Sequence, residues 1–246
     1  GALKLIGDPE ERYREDPVRM LRAVRFATKL GLRIDNSCSA PIPRLAHLLD
    51  DIPAARLFEE FLKLFMSGKA VANFEVLNEH GLMNPLFPVL KMPFKDPASI
   101  EYRMVHQAFT DTDVRLQAGK SVNPGFLFAA ILWYPMVARA NEISQEASFT
   151  EYEAYQMAAA DAISLQARSI SLPKRFSLPM RDIWMLQLRL TQTTPRKALR
   201  LLSHPKFRAG YDFLLLRAKV EGDKQLHALA QFWTKFQADN PGAAPS

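Results

Sequence analysis

The sequence predicts an all-α protein, and two observations support this fold class. After Ile6, apolar residues recur at helical spacing along almost the whole chain, whereas few segments alternate as strands do. Hydrophobic residues make up 48% of the 246 positions and include 16 Phe, 6 Tyr and 3 Trp, which is enough apolar surface for a packed core. The only strand expected is short and lies at the amino end, within residues 1–7.

The predicted amino-terminal strand needs a second strand to pair with. A strand must satisfy its backbone hydrogen bonds against a neighbour, and few later segments have a strand pattern. The first residue is also Gly1 and not Met. We therefore expect the strand to be the remnant of a larger unit.

The first long helix is predicted over residues 15–30. Pro17 favours its first turn, Glu15 and Asp16 suit its positive amino end, and Gly31 is a good terminator. The remaining helices are predicted over residues 41–50, 54–67, 69–80, 98–118, 125–146, 150–168, 178–191, 195–203, 206–221 and 223–238.

Four prolines within residues 82–97 indicate a boundary between two helical parts. We therefore predict a first domain at 1–92 and a second at 93–240. Residues 241–246, which are rich in Pro, Gly and Ala, are expected to form a frayed tail.

Composition limits the possible partners and compartments. Lys and Arg number 32 against 26 Asp and Glu, so the formal net charge is +6, which permits an anionic partner without identifying one. The single cysteine, Cys38, cannot form a disulfide within the chain, which favours the cytoplasm. No stretch approaches the roughly 20 consecutive apolar residues of a membrane span.

The predicted first helix separates charged residues from apolar ones. One face, shared with Glu15, carries the basic residues Arg19, Arg22, Arg25 and Lys29. The other side carries the residues that can pack, namely Met20, Leu21, Val24 and Ala27. Guanidinium groups at this spacing can bind phosphate oxygens in pairs. The alternative is an exposed helix whose arginines pair with nearby acids, for example Arg19 with Glu15.

Residues 6–27 resemble the neck of the superfamily that contains class II tRNA nucleotidyltransferases and bacterial poly(A) polymerases. The core of the resemblance is Glu15-Asp16-x-x-Arg19, followed by Arg22 and then by Arg25-Phe26-Ala27. It implies a multi-helix neck and body of the class II type. It also implies that Glu15, Asp16, Arg19 and Arg22 bind the nucleotide.

The chemistry of this motif can also be argued from the bases. Adenine presents an amino donor at N6 beside an acceptor at N1, which a carboxylate and an arginine can match. Cytosine has the same order of donor and acceptor, whereas guanine and uracil have the reverse. Asp16 and Arg19 therefore explain rejection of G and U, but not a preference for A over C.

Later segments resemble the bacterial poly(A) polymerases within this superfamily. These segments are residues 51–60, 86–88, 123–135, 173–176, 181–184 and 204–208. The resemblance implies an enzyme that adds AMP from ATP to RNA 3′ ends and so marks RNA for decay, with RNA-decay proteins as further partners. Two alternatives stay open, a CCA-adding tRNA nucleotidyltransferase and a non-catalytic helical module that binds RNA or protein.

The family's metal-binding aspartates lie in a catalytic head that we do not find in this sequence. Asp111 and Asp113 have the right spacing, but they lie on a predicted helix without the required glycine turn. We therefore assign no catalytic or metal-binding residue here and expect this polypeptide alone to be inactive. Mg²⁺ is expected only in the longer enzyme, where it would activate the 3′-hydroxyl.

Basic residues beside aromatics recur late in the chain and suggest contacts with RNA phosphates. The RNA contacts predicted over the whole chain are Arg25, Lys29, Lys174, Arg175, Lys206 and Arg208. Phe207 and Trp233 are expected to be core residues and not stacking platforms.

Overall fold

The structure, a computed structural model, describes residues 1–90 and 92–243 and confirms the all-α fold class. Residues 244–246 of the predicted tail and Lys91 of the proline-rich segment lie outside the described part. None of the described helices combines the length and apolar character that crossing a membrane requires.

The chain forms two compact units, each built from separate stretches of sequence. Unit 1 comprises Gly1–Asp96, Phe109–Val122 and Ile163–Leu172. Unit 2 comprises Pro97–Ala108, Asn123–Ala162 and Pro173–Ser246. The linear division into domains at 1–92 and 93–240 stays a prediction.

Unit 1 contains the short strands and the smaller helices. Its strands are β1 (Ala2–Leu3) and β2 (Arg33–Ile34). Its helices are α1 (Pro9–Glu15), α2 (Val18–Leu30), α3 (Asn36–Ser39), α4 (Ile42–Leu45), α5 (Ala54–Phe65), α6 (Ala70–Glu79) and α7 (Met83–Leu86), with 3-10 turns at Ala46–Asp51 and Met92–Lys95. The second half of α8 (Ile100–Gln117) and the end of α10 (Glu151–Ala167) complete it.

β1 finds its partner inside the chain. It pairs in parallel with β2, with Ala2 opposite Arg33 and Leu3 opposite Ile34. β2 was not identified as this partner from the sequence, since few later segments have a strand pattern. A strand of two residues is too short to produce a readable alternation of apolar and polar positions.

The predicted helix over residues 15–30 is broken at Asp16. Glu15 ends α1, and α2 begins at Val18, so the predicted start was wrong. The residue before a proline is disfavoured in the helical region, and Asp16 accordingly adopts an extended backbone, with φ −147° and ψ 97°. Its side chain then accepts a hydrogen bond from the amide of Val18 at 3.3 Å, as a capping residue does. The predicted packing residues Met20, Leu21, Val24 and Ala27 are all buried.

Aromatic side chains form much of the core of unit 1. The rings of Phe65 and Phe109 stack with centroids 4.5 Å apart, and Phe74 lies 5.4 Å from Phe109. Asp113 caps the amino end of α6, because its carboxylate accepts hydrogen bonds from the amides of Ala70 at 2.7 Å and Val71 at 3.1 Å. This aspartate therefore has a structural role, as a helix cap.

Unit 2 contains the longer helices. They are the first half of α8, most of α10, α9 (Pro124–Glu146), α11 (Lys174–Arg189), α12 (Pro195–Leu202), α13 (Phe207–Glu221) and α14 (Lys224–Asp239). α11 starts four residues earlier than predicted, because Pro173 is tolerated just before the first helical residue.

Buried tryptophans link the helices of unit 2. Trp184 donates to the carbonyl of Ala129 at 3.0 Å, and Trp233 donates to the carbonyl of Leu190 at 2.8 Å. Trp233 and Phe207 are buried, as predicted, so neither ring is available to a ligand.

Candidate nucleotide-selecting site

The break between α1 and α2 brings Asp16 to a partner on α5. Arg56 donates from Nη1 to Oδ1 of Asp16 at 3.0 Å and from Nη2 to Oδ2 at 2.7 Å. The Asp16 side chain is 21% exposed and that of Arg56 is 38% exposed, so the pair lies at the surface with its carboxylate largely covered. This two-point contact fixes the plane of the Asp16 carboxylate.

The same contact sets the charge state of Asp16. Hydrogen bonds from Arg56 hold the pKa of the Asp16 carboxyl below its ordinary value, although partial burial opposes the shift. The amide of Val18 and the charge of Arg22 lower it further. Asp16 is therefore a hydrogen-bond acceptor at neutral pH.

Arg19 is held at the carboxyl end of α1. Its Nη1 atom donates to the carbonyl oxygen of Arg12 at 2.9 Å and to Oε2 of Glu15 at 2.7 Å. The ion pair with Glu15, considered above as the alternative to a nucleotide contact, is therefore present even though the two residues lie on different helices. Within the described residues these bonds involve only one of the three guanidinium nitrogens of Arg19.

Arg22 lies beside a buried carboxylate of α5. Oε1 of Glu60 is 3.7 Å from Nη2 of Arg22 and 3.6 Å from Nζ of Lys63. Glu60 is only 2% exposed, and its Oε2 atom is buried without a hydrogen-bond partner in the described part of the chain. The two cations offset the cost of burying this charge.

Arg25 and Lys29 continue the row of basic residues along α2. The guanidinium carbon of Arg25 lies 4.7 Å from the centroid of the Phe26 ring, which is 42% exposed. Lys29 is exposed in the last turn of the helix. The contact of these two residues with RNA stays a prediction.

The structure thus brings Asp16 and Arg22 against one side of α5, with Glu15 and Arg19 at the end of α1. Sequence reasoning missed Arg56 and Glu60, which hold Asp16 and Arg22. Arg56 and Glu60 are four residues apart in the segment 51–60, which was noted only for its family resemblance. Among the described residues, no three His, Cys, Asp or Glu side chains are grouped as metal ligands would be.

The predicted RNA contacts of unit 2 lie at two helix starts. Lys174 and Arg175 are exposed at the first turn of α11. Lys206 precedes α13, and Nε of Arg208 pairs with Asp212 at 3.2 Å on that helix. Their contact with RNA stays a prediction.

Comparison with known proteins identifies relatives of this chain. One family model, described as the polymerase A arginine-rich C-terminus, matches residues 147–245. A second, described as a probable RNA- and SrmB-binding site of polymerase A, matches residues 31–92.

Curated relatives match the chain almost from end to end. The chain is 48% identical to poly(A) polymerase I of Salmonella typhi over 98% of its length, covering 52% of that protein. It is 42% identical to poly(A) polymerase I of Haemophilus influenzae over 98% of its length, covering 53% of that protein. A CCA-adding enzyme of Limosilactobacillus fermentum is 48% identical over only 29% of the chain and 18% of the enzyme. The chain thus spans about half the length of the poly(A) polymerases that it matches.

Proposed function

Because the chain belongs to the bacterial poly(A) polymerase family, we propose that it forms the nucleotide-selecting and RNA-binding part of an enzyme that adds AMP from ATP to RNA 3′ ends. Similarity over 98% of the chain favours this reading over CCA addition, whose relative matches 29%. The observation that carries the proposal is the ion pair by which Arg56 orients the Asp16 carboxylate of the Glu15-Asp16-x-x-Arg19 motif.

Asp16 and Arg19 are proposed to read the Watson–Crick edge of adenine. Asp16 accepts from the N6 amino group, and Arg19 donates to N1. Each carboxylate oxygen can accept more than one hydrogen bond, so Asp16 can contact the base while Arg56 orients it. Guanine or uracil would leave polar groups unpaired, which costs about 1–3 kcal/mol for each group.

Glu15 and Arg22 have supporting roles in this proposal. Glu15 restrains Arg19 through the 2.7 Å contact, so that the guanidinium loses less freedom on binding. Arg22 assists with the base or the triphosphate, and Glu60 restrains it from α5. The preference for A over C must come from pocket shape or from backbone restraint in the longer enzyme, because cytosine has the same order of donor and acceptor.

The chemical step needs ligands for metal ions, which we place in the longer enzyme and not in the described residues of this chain. Mg²⁺ in the longer enzyme would activate the 3′-hydroxyl and stabilise the leaving pyrophosphate. The described residues contain no grouping of ligands that fits it. The contribution of the chain is selection of ATP and binding of RNA.

RNA is the proposed macromolecular partner. The family model over residues 31–92 is described by RNA binding and by SrmB, so both are candidates for this part of unit 1. Further contacts are proposed at Arg25, Lys29, Lys174, Arg175, Lys206 and Arg208. Proteins of RNA decay are further candidate partners, and the cytoplasm is the proposed compartment.

Replacing Arg19 in the longer polymerase tests the nucleotide-selecting role. The variant Arg19→Ala should lower kcat/KM for ATP by about 10- to 100-fold, which corresponds to about 1.4–2.8 kcal/mol of transition-state stabilisation. The matched control is Arg14→Ala, since Arg14 is an exposed α1 residue that pairs with Glu10. Unchanged turnover by the Arg19 variant would refute the assignment.

The products distinguish the proposal from CCA addition. With ATP as the only nucleotide and a generic RNA, a poly(A) polymerase extends the 3′ end by a long A tract. A CCA-adding enzyme does not produce such a tract. Denaturing gels of the extended RNA separate the two outcomes.

A further inference from the structure

One short stretch of this chain has a net positive charge as large as that of the whole chain. Residues 183–211 contain six Lys and Arg residues and no Asp or Glu, so their formal charge of +6 equals that of the whole chain. The stretch covers the end of α11, all of α12 and the start of α13, within unit 2. Such a local excess attracts anionic ligands far more strongly than the same charge spread over the surface.

Helix α12 turns its cations away from the core. Arg196, Lys197 and Arg200 are exposed and, at 100° per residue, fall within an arc of about 100°. The opposite side carries Ala198, Leu201 and Leu202, all at most 2% exposed. These three residues pack into one cluster with Phe207 and Trp233. We call Arg196, Lys197 and Arg200 the α12 basic face.

The cations of this face have no acidic partner within 4.0 Å among the residues that the structure describes. Partial burial lowers the pKa of His204, which follows α12, and the charges of Arg189 and Lys206 lower it further. Asp182 opposes this shift, but the net effect is downward. The preceding loop, residues 191–194, is exposed and carries Thr and Gln side chains that can hydrogen-bond to phosphate or ribose oxygens.

Three aromatic residues of the cluster beneath this face are buried and not available to bases. Phe207 is 2% exposed, Tyr211 is 6% exposed and Trp233 is fully buried. Stacking on aromatic rings is the usual means by which proteins hold the bases of single-stranded nucleic acids. These three rings therefore cannot stack on bases, and contact at this face is inferred from its charges and from the polar loop.

We propose that the α12 basic face binds the phosphate backbone of single-stranded RNA upstream of the 3′ end, without selecting among bases. The proposal rests on the proposed function, which supplies RNA as the polymer that the chain must hold. Three closely spaced cations without acidic partners complement a row of phosphates, and the helix presents them on one rigid surface. In this proposal the α12 basic face binds an upstream part of a long RNA and not its 3′ end.

The test compares the salt dependence of RNA binding in the 246-residue chain and two triple variants. The first is Arg196→Ala, Lys197→Ala and Arg200→Ala, and alanine is compatible with the helix at these exposed positions. The control is Arg115→Ala, Lys120→Ala and Arg168→Ala, which removes three exposed charges from unit 1. The probes are fluorescein-labelled rA20 and rU20, and circular dichroism verifies that both variants keep their helices.

The slope of log K against log salt should become about 2 less steep in the α12 variant, since each lost phosphate contact contributes about 0.7 for a single strand. The control should keep a slope near that of the unaltered chain, and rA20 and rU20 should behave alike. A slope unchanged by the α12 substitutions, or equal loss in the control, overturns the proposal. Preferential binding of either oligonucleotide through this face also overturns it.

A competitor distinguishes RNA from an acidic protein. Poly-glutamate at the same charge concentration should displace the labelled RNA poorly, since its carboxylates lack the phosphate geometry that arginine binds in pairs. Equally good displacement would overturn the assignment to RNA. Because this experiment measures binding without turnover, its failure leaves the Arg19 test of nucleotide selection unaffected.

Discussion

Arg56 and Asp16 lie forty residues apart in the sequence and form a two-point ion pair, with Nη1–Oδ1 and Nη2–Oδ2 distances of 3.0 and 2.7 Å. The pair joins α5 to the break between α1 and α2. The residue proposed to read adenine is therefore oriented by a different part of unit 1 from the one that carries it.

Loss of Arg56 should affect both stability and ATP use. The variant Arg56→Ala should lower the free energy of unfolding by about 1–2 kcal/mol, because it removes two charge-assisted hydrogen bonds at a site that is partly exposed. Urea unfolding of the chain measures this. In the longer polymerase, KM for ATP should rise, since Asp16 is no longer held in one plane. Arg56→Lys should recover little of the effect, because lysine cannot bind both oxygens at once.

Glu60 should matter far more than its neighbour in sequence. Glu60→Gln removes a buried charge that compensates Arg22 and Lys63, and should lower the free energy of unfolding by about 1–2 kcal/mol. Glu59→Gln, at an exposed position on the same helix, should change it by less than about 0.5 kcal/mol. Equal effects of the two variants in chemical denaturation would show that the ion contacts of Glu60 contribute nothing to stability.

Glu10 should make the chain sensitive to acid. Hydrogen bonds from Arg44 and Arg14 lower its pKa to about 2 from the ordinary value of 4.5. A carboxyl with a lowered pKa contributes stability that is present above pH 4.5 and is lost as the pH falls towards 2. The difference in unfolding free energy between the unaltered chain and Glu10→Gln should therefore be constant near neutrality and shrink below pH 4.5. A difference that grows in acid would contradict this ion pair.

Gly125 should tolerate no side chain. A Cβ atom at this position would lie 2.6 Å from the carbonyl oxygen of Phe176, a backbone atom that cannot turn aside. Gly125→Ala should lower the free energy of unfolding by about 1–3 kcal/mol through overpacking between α9 and α11. Gly242→Ala is the control, because none of the described residues lies within 4 Å of its Cβ position. Thermal unfolding of both variants measures the contrast, and equal melting temperatures would show that the helices can separate without cost.

Local patterns predicted the helices well where burial on one face determines the spacing of apolar residues. Met20, Leu21, Val24 and Ala27 were predicted to pack on α2, and all four are buried. The start of that helix was predicted wrongly, because the restriction that Pro17 places on Asp16 outweighed the favourable charges at the helix end. The partner of β1 was missed because β2 has only two residues, too few to show the alternation of apolar and polar positions that marks a strand.

The sequence by itself determined the all-α class, the helical periods and the resemblance to the poly(A) polymerases, since each depends on the order of neighbouring residues. Only the tertiary structure decided that Arg56 holds Asp16 and that a buried Glu60 lies beside Arg22. These contacts depend on how α5 packs against α2, and the order of residues within either helix does not encode that packing. The same reason explains why Asp113 could be recognised as a helix cap only once α6 was seen beside it.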